Sequence, residues 1–197
     1  MDNKQLVKNV LMSQHTEKIK MFTVSGQTLV ACFYQALAAR MSLFDCMKTV
    51  YDPSIKKGTA EYDSESNTMK LAFMSIEYDE QRGIIIHEST HAVCDMLKMN
   101  IMVADSEVMA YIAQCQFMLA NFGNYPLIGK TDTKTAIFAA AWKVAEKIQN
   151  GQTPSETDYK TVRDAVCGDS EYGEKSLSQT AAFDGLQPKS SWWNPFG

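Results

Sequence analysis

Histidine, proline and paired cysteines are scarce in this chain. Its 197 residues include three histidines and five prolines, and its five cysteines contain no C-x-x-C pair. An odd number of widely spaced cysteines is typical of reduced thiols rather than of a disulfide framework. We therefore expect unpaired, mostly buried thiols in a protein made in the cytoplasm, at Cys32, Cys46, Cys94, Cys115 and Cys167.

Excess positive charge and long apolar segments are also absent. The formal net charge is -4, which gives no basic field for nucleic acid or for an anionic membrane. No apolar run approaches the roughly 20 residues of a membrane-spanning helix, and residues 1–8 lack the apolar core of a signal peptide. We predict cytoplasmic localisation with no nucleic-acid or membrane partner, and export without a signal peptide stays open.

The chain is long enough for one domain with a substantial core. We assign residues 1–168 to that domain and residues 169–197, which are rich in Ser, Gly and Gln, to a loosely ordered tail. The tail ends with three large aromatic side chains, Trp192, Trp193 and Phe196. Docking on the parent domain and binding of a protein partner would each account for them.

Apolar periodicity predicts a mostly helical α+β domain. Helices are predicted over residues 25–48, 84–98, 105–121, 133–149 and 153–167, after a short helix or strand in residues 1–24. Between the first two long helices, residues 58–74 alternate around the turn-forming cluster from Asp63 to Asn67. That pattern predicts a small antiparallel β-hairpin directly before the helix of residues 84–98.

Two of the three histidines lie on the predicted helix of residues 84–98. They belong to a His-Glu-x-x-His motif formed by His87, Glu88 and His91. Residues four apart share one helix face, so the two imidazoles could bind one metal ion. Glu88 lies about 100° further round, where a general base for a metal-activated water belongs. The alternative is a helix whose two histidines merely face a polar groove.

A catalytic zinc ion usually has three protein ligands. His15 is remote in sequence, and the metzincin pattern would need Gly and His where the chain has Cys94 and Leu97. A carboxylate is therefore expected as the third ligand, and Glu107 in the first turn of the next helix is the best candidate. Its rival is Asp105 at the expected N-cap, and Glu107 could instead simply favour the helix dipole.

At this point the chain resembles gluzincin-type zinc metallopeptidases, in particular the small single-domain, minigluzincin-like bacterial and phage-associated ones. The resemblance covers residues 58–114 and rests on His87-Glu88-x-x-His91-Ala92-x-x-Asp95 and Glu107-x-x-Ala110-Tyr111. It implies a zincin-like fold with an active-site strand before the motif helix. It also implies one Zn²⁺ on His87, His91 and Glu107, and hydrolysis of peptide or protein substrates with Glu88 as general base.

Two further residues are candidates for supporting roles. Tyr111 lies one turn beyond Glu107 and could donate a hydrogen bond to the oxyanion, although a packed tyrosine satisfied locally is an equal alternative. Asp95 lies one turn after His91 and could accept its free N–H, or could be an exposed helical acid. The neighbouring Cys94 is expected to be a small core residue.

The strand of residues 68–73 could align an extended peptide if it forms an exposed sheet edge beside the metal. The principal alternative to a peptidase is a catalytically inactive zinc-binding protein that keeps the fold and acts through interactions. A helical protein with a fortuitous motif is the remaining alternative.

Overall fold

The computed structural model describes residues 2–123 and 134–186 of the chain. Within these ranges the fold is α+β, as predicted, with six α-helices, two short 3₁₀ turns and two small sheets. The helices are α1 (Asn3–Leu11), α2 (Ala31–Phe44), α3 (Asp79–Met96), α4 (Val103–Phe122), α5 (Lys134–Gln149) and α6 (Glu156–Gly168). The strands are β1 (Phe22–Val24), β2 (Gln27–Leu29), β3 (Lys48–Tyr51), β4 (Ala60–Asp63) and β5 (Thr68–Leu71).

Helix α4 is the centre of the core. Its residues from Ala104 to Met118 are all buried except Glu107, and α3, α5 and α6 pack around it. A helix that is apolar on nearly every side is stable only when neighbours cover it on every side. The one less buried position, Glu107, therefore marks the side on which the packing around α4 is open.

The predicted hairpin is confirmed, but it belongs to a larger sheet. Strands β4 and β5 pair antiparallel, and β3 adds to the other side of β5 in parallel, which gives the order β3-β5-β4. The hypothesis that residues 68–73 form an exposed edge is therefore wrong, because β5 is the central strand. The edge that faces α3 belongs to β4.

The helix predicted over residues 25–48 is shorter than expected. Ser25 and Gly26 have φ angles of 48° and 79° and form the turn of the β1-β2 hairpin, so α2 begins only at Ala31. A Ser-Gly pair favours such a turn because glycine adopts positive φ without strain. The last predicted helical residue, Lys48, starts β3 instead.

The helix that carries the motif begins earlier than predicted. Helix α3 starts at Asp79, because the Gln81 side chain accepts hydrogen bonds from the backbone N–H groups of Glu77 and Tyr78 at 2.6 and 3.2 Å. These contacts satisfy donors that would otherwise be orphaned where a helix begins. Helix α6 begins at Glu156, three residues later than predicted, because Ser155 caps the helix by a reciprocal hydrogen bond with Asp158.

Residues 169–186 differ from the loose tail predicted for them. Asp169, Ser176 and Leu186 are buried, and the backbone of residues 179–181 pairs with that of residues 101–103. The prediction about Trp192, Trp193 and Phe196 lies outside the described residues. We define residues 179–186 as the C-terminal segment, because they pack together along one side of the domain.

All five cysteines are unpaired, and Cys46, Cys94 and Cys115 are buried, which confirms the prediction from their spacing. Among the described residues, no helix has both the length and the apolar character needed to cross a membrane.

Candidate metal centre

Helices α3 and α4 bring the two motif histidines and Glu107 together. His87 Nε2 lies 3.4 Å from Glu107 Oε2, and His91 Nε2 lies 3.4 Å from Glu107 Oε1. The two imidazole rings are 5.1 Å apart and nearly perpendicular. The sequence placed these residues on two helices joined by a short connection, and the structure shows that their side chains converge.

The geometry fits a zinc ion. One ligand atom from each of His87, His91 and Glu107 lies within 4.8 Å of the other two, close enough for one ion with bonds of about 2.0–2.2 Å after small side-chain adjustments. Glu107 Oε2 is buried, and the protein groups near this carboxylate are the imidazole of His87, 3.4 Å away, and the hydroxyl of Tyr172. A buried carboxylate oxygen is costly unless a cation or a donor satisfies it. The donor set of two imidazoles and one carboxylate is typical of catalytic zinc.

Burial and mutual contact set the protonation states of His91 and Glu107. Burial lowers the pKa of His91 to about 4, although the neighbouring Glu107 opposes this effect. For Glu107 burial raises the pKa, but His91 and His87 outweigh it and bring the value to about 2. Near neutral pH His91 is therefore uncharged and Glu107 ionised. Metal ligands must be in these states, because a proton competes for the same lone pair.

The remaining nitrogen of His91 is held by α4, not by Asp95. His91 Nδ1 lies 2.8 Å from Ser106 Oγ. Asp95 is fully buried and accepts hydrogen bonds from Tyr62 and Gly185, so neither sequence interpretation of Asp95 is correct. Ser106 was missed because a serine next to the expected N-cap residue is most simply interpreted as part of the helix cap. Nothing in the sequence pairs it with a histidine fifteen positions earlier.

Asp105 is not a ligand in this arrangement. Helix α4 begins at Val103 with Met102 as its N-cap, which places Asp105 inside the first turn. Its carboxylate accepts hydrogen bonds from Ser25 Oγ at 2.6 Å and from Arg163 Nε. Asp105 therefore ties α4 to α6 and to the β1-β2 turn, and Glu107 alone of the two acids joins the histidines.

Glu88 lies beside the ligand set, where the motif predicts it. Its Oε2 accepts a hydrogen bond from the backbone N–H of Tyr62 at 2.9 Å. Tyr62 belongs to β4, so the edge strand of the sheet and the expected general base are in direct contact. Because the Tyr62 N–H donates to Glu88, it points away from β5, the strand with which β4 pairs.

Tyr111 packs on the ligand set, and a second tyrosine accompanies it. The rings of Tyr111 and His87 are 4.5 Å apart and meet edge to face. The Tyr111 hydroxyl lies 3.1 Å from that of Tyr172, which is only partly buried. Burial raises the pKa of both hydroxyls, so both stay protonated donors. Tyr172 was missed because it lies in a stretch without periodicity that was assigned to the tail.

A cleft of about 680 Å³ opens in front of these groups. Its lining includes residues 57–62, which contain Ala60 to Tyr62 of β4, and residues 179–183 of the C-terminal segment. The side chains of His87, His91 and Glu107 are 9%, 12% and 13% exposed, so each reaches the cleft without being open to bulk water. The three candidate ligands therefore line a cleft that also contains residues of β4 and of the C-terminal segment.

The third histidine is remote from this centre. His15 Nδ1 lies 2.7 Å from Asn121 Oδ1, and its ring stacks on Phe122 at the far end of α4. Glu107 and Asn121 are fourteen positions apart on α4, which corresponds to about 21 Å along a helix. Cys94 is a buried core residue next to Met109, as expected.

Comparison with known proteins finds no matching protein family, no matching curated protein and no matching solved structure. The chemistry of the site is therefore inferred from its own residues.

Proposed function

We propose that the protein is a zinc-dependent peptidase of the gluzincin type, with a zincin-like fold. The observation that carries the proposal is the convergence of His87 Nε2, His91 Nε2 and Glu107 at 3.4 Å separations beside Glu88. Two imidazoles, one carboxylate ligand and a second, nearby carboxylate are the parts that peptide hydrolysis at zinc needs. The cleft in front of them supplies room for a polypeptide.

His87, His91 and Glu107 would hold the zinc ion. Zinc in such a site lowers the pKa of a bound water toward 7 and polarises a carbonyl oxygen. Glu88 accepts a proton from the attacking water and delivers it to the leaving amine. The hydrogen bond from the Tyr62 N–H holds the Glu88 carboxylate next to the ligand set, so the side chain is already oriented before substrate binds.

The oxyanion needs a hydrogen-bond donor from the protein in addition to the metal. Tyr111 was predicted for this role, and its hydroxyl is close enough to Tyr172 to orient it. Both tyrosines line the cleft, and Tyr172, the more exposed of the two, hydrogen-bonds to the Glu107 carboxylate. We assign the donor role to the Tyr172 hydroxyl, with Tyr111 holding it in place.

The edge of β4 would align the substrate. Neighbouring residues of a strand direct their backbone groups alternately to its two sides. The Tyr62 N–H faces Glu88, so Ala60 shares this open side of β4. An extended peptide can add to such an edge through main-chain hydrogen bonds.

The second candidate is a zinc-binding protein without catalytic activity. The observation that favours it is the hydrogen bond from Tyr62 to Glu88, which engages one oxygen of the expected base. In this case the cleft would bind a polypeptide without cleaving it.

Zinc content and peptide cleavage separate these candidates. We expect about one equivalent of zinc in the purified protein and in its Glu88→Gln variant, with cleavage of a fluorogenic peptide library reduced at least about 100-fold in the variant. Glu65→Gln, an exposed acid in the β4-β5 turn, is the matched control and should keep full activity. Full zinc without cleavage by the wild type would favour the second candidate. Less than about half an equivalent of zinc, unchanged in His87→Ala, would overturn both.

A further inference from the structure

A buried carboxylate joins the two sides of the cleft. Asp95 lies on α3, one turn after His91, and is fully buried. Its Oδ2 accepts a hydrogen bond from the Tyr62 hydroxyl at 2.6 Å, and its Oδ1 accepts one from the backbone N–H of Gly185 at 2.8 Å. Carboxylates are almost never fully buried unless they are paired, so the two donors explain how Asp95 is accommodated.

The Tyr62 contact leads directly to the general base. The hydroxyl of Tyr62 is bound by Asp95, and its backbone N–H donates to Glu88 at 2.9 Å. Fixing the phenol ring at its far end also fixes the backbone of β4 at the point where it meets Glu88. The hydroxyl is 3.1 Å from Asn67 as well, but its contact with Asp95 is the shorter one.

The Gly185 contact leads to the opposite side of the cleft. Gly185 has a φ angle of 101°, which strongly favours glycine. A Cβ atom there would lie 2.5 Å from Lys98 Cε, the flexible end of a side chain that can shift, so the strain of a larger residue arises from the positive φ and loosens the backbone contact with Asp95. The C-terminal segment is held further along by Val103 N to Gln179 O at 2.8 Å and Ala181 N to Ile101 O at 2.9 Å.

We propose that Asp95 is a positioning residue that sets how far apart the two sides of the substrate cleft lie. One oxygen places β4 and, through Tyr62, Glu88. The other places the C-terminal segment, whose residues 179–183 line the same cleft as β4. Charge-assisted hydrogen bonds are stronger and shorter than neutral ones, which suits them to hold two separate chain segments.

This proposal rests on the proposed peptidase function and gives the C-terminal segment a role in it. An extended substrate would lie between β4 and residues 179–183, in contact with both. We call the two hydrogen bonds of Asp95 its Tyr62 arm and its Gly185 arm. The Tyr62 arm positions the general base Glu88 and should therefore affect kcat. The Gly185 arm positions the C-terminal segment and should therefore affect the binding of substrate. KM reports this binding when the chemical step is slow.

Three single variants of the full chain test the two arms. Tyr62→Phe removes only the hydroxyl, and we expect kcat for a cleavable peptide to fall about tenfold with KM within about twofold. Gly185→Ala displaces the other arm, and we expect KM to rise about tenfold with kcat within about twofold. Asp95→Asn keeps both contacts as neutral hydrogen bonds but removes the charge, so we expect kcat to fall and KM to rise together, each by less than in the corresponding single variant.

Zinc content and thermal unfolding are measured for each variant. We expect full zinc in all three, since Tyr62, Asp95 and Gly185 are not ligands. If both kcat and KM change in the same way in Tyr62→Phe and Gly185→Ala, or if neither changes, the assignment of separate arms is overturned. Loss of activity that merely follows loss of folded protein would overturn it as well.

Amide hydrogen exchange tests the same proposal without catalysis. We expect Tyr62→Phe to speed exchange in β4 at least about tenfold and to leave residues 179–183 unchanged, and Gly185→Ala to do the reverse. Equal changes in both segments, or none, would overturn the proposal. A wild type that binds zinc but cleaves no peptide would instead overturn the peptidase function, and the exchange result would still decide the role of Asp95.

Discussion

His91 Nδ1 and Ser106 Oγ lie 2.8 Å apart, across the interface between α3 and α4. The imidazole is thus oriented by the helix that also supplies Glu107. A partner on the second ring nitrogen fixes the tautomer of a ligand histidine and the direction of the nitrogen that binds metal. The packing of these two helices therefore defines the ligand geometry as much as the His-Glu-x-x-His spacing does.

Replacing Ser106 with alanine should weaken zinc binding about 10–100-fold, because His91 loses the contact that orients it. Competition with a chromophoric chelator measures the affinity. Ser42→Ala is the matched control, since Ser42 donates to the Ala38 carbonyl in α2, away from the site. Equal affinities of Ser106→Ala and the control would contradict the role of Ser106.

Glu107→Gln and Asp105→Asn should affect different properties, although the two acids are only two positions apart. Glu107→Gln should lower zinc binding, and Asp105→Asn should lower stability. The first removes a ligand and should lower zinc occupancy without unfolding the protein. The second keeps zinc but weakens the contact with Arg163, and should cost about 1–3 kcal/mol of the free energy of unfolding. Elemental analysis and urea denaturation check both outcomes. Loss of zinc from Asp105→Asn in its folded form would reverse the assignment.

The metal-free protein should become less stable as the pH falls from about 6.5 toward 4. The pKa of His91 is lowered by burial from 6.5 to about 4, so the unfolded chain takes up a proton in this window and the folded chain does not. A state that binds more protons is favoured by acid. Below about pH 4 this contribution levels off, because both states are then protonated at His91.

Urea denaturation of chelator-treated protein at several pH values measures this dependence. His91→Gln lacks the titrating group, and the free energy of unfolding of this variant should therefore depend less steeply on pH between 6.5 and 4. Parallel curves for the two proteins would show that His91 is not the group responsible.

Tyr172→Phe should reduce kcat more than Tyr111→Phe does. In our proposal the Tyr172 hydroxyl donates to the oxyanion, and loss of one such donor costs about 100–1000-fold in kcat. Tyr111→Phe leaves that donor present but less well oriented, so a smaller loss is expected. Steady-state kinetics with one peptide substrate decides the order. A larger loss in Tyr111→Phe would return the donor role to Tyr111.

The sequence was most informative where chemistry depends on local spacing. His87, Glu88 and His91 lie within five residues, and their relation follows from the pitch of one helix. Glu107 required only one further assumption, that the next helix packs against the first. The β4-β5 hairpin was likewise predicted from alternation around a turn.

The contacts missed by sequence analysis join distant parts of the chain. Tyr172 is 61 positions from Tyr111, and Gly185 is 90 positions from Asp95. Neither partner has a periodic pattern around it, so composition alone assigned both to a tail. Strand β3 was missed for a related reason, since three of its four residues are exposed and give little apolar signal.

The position of Gly185 also orders events during synthesis of the chain. Glu107, the last of the candidate ligands, precedes Gly185 by 78 residues. At about 5–20 residues per second, a ribosome needs roughly 4–16 s to add that stretch. A nascent chain therefore has its complete ligand set several seconds before it has the second side of its cleft. The candidate metal ligands are therefore synthesised before the C-terminal segment that completes the lining of the cleft.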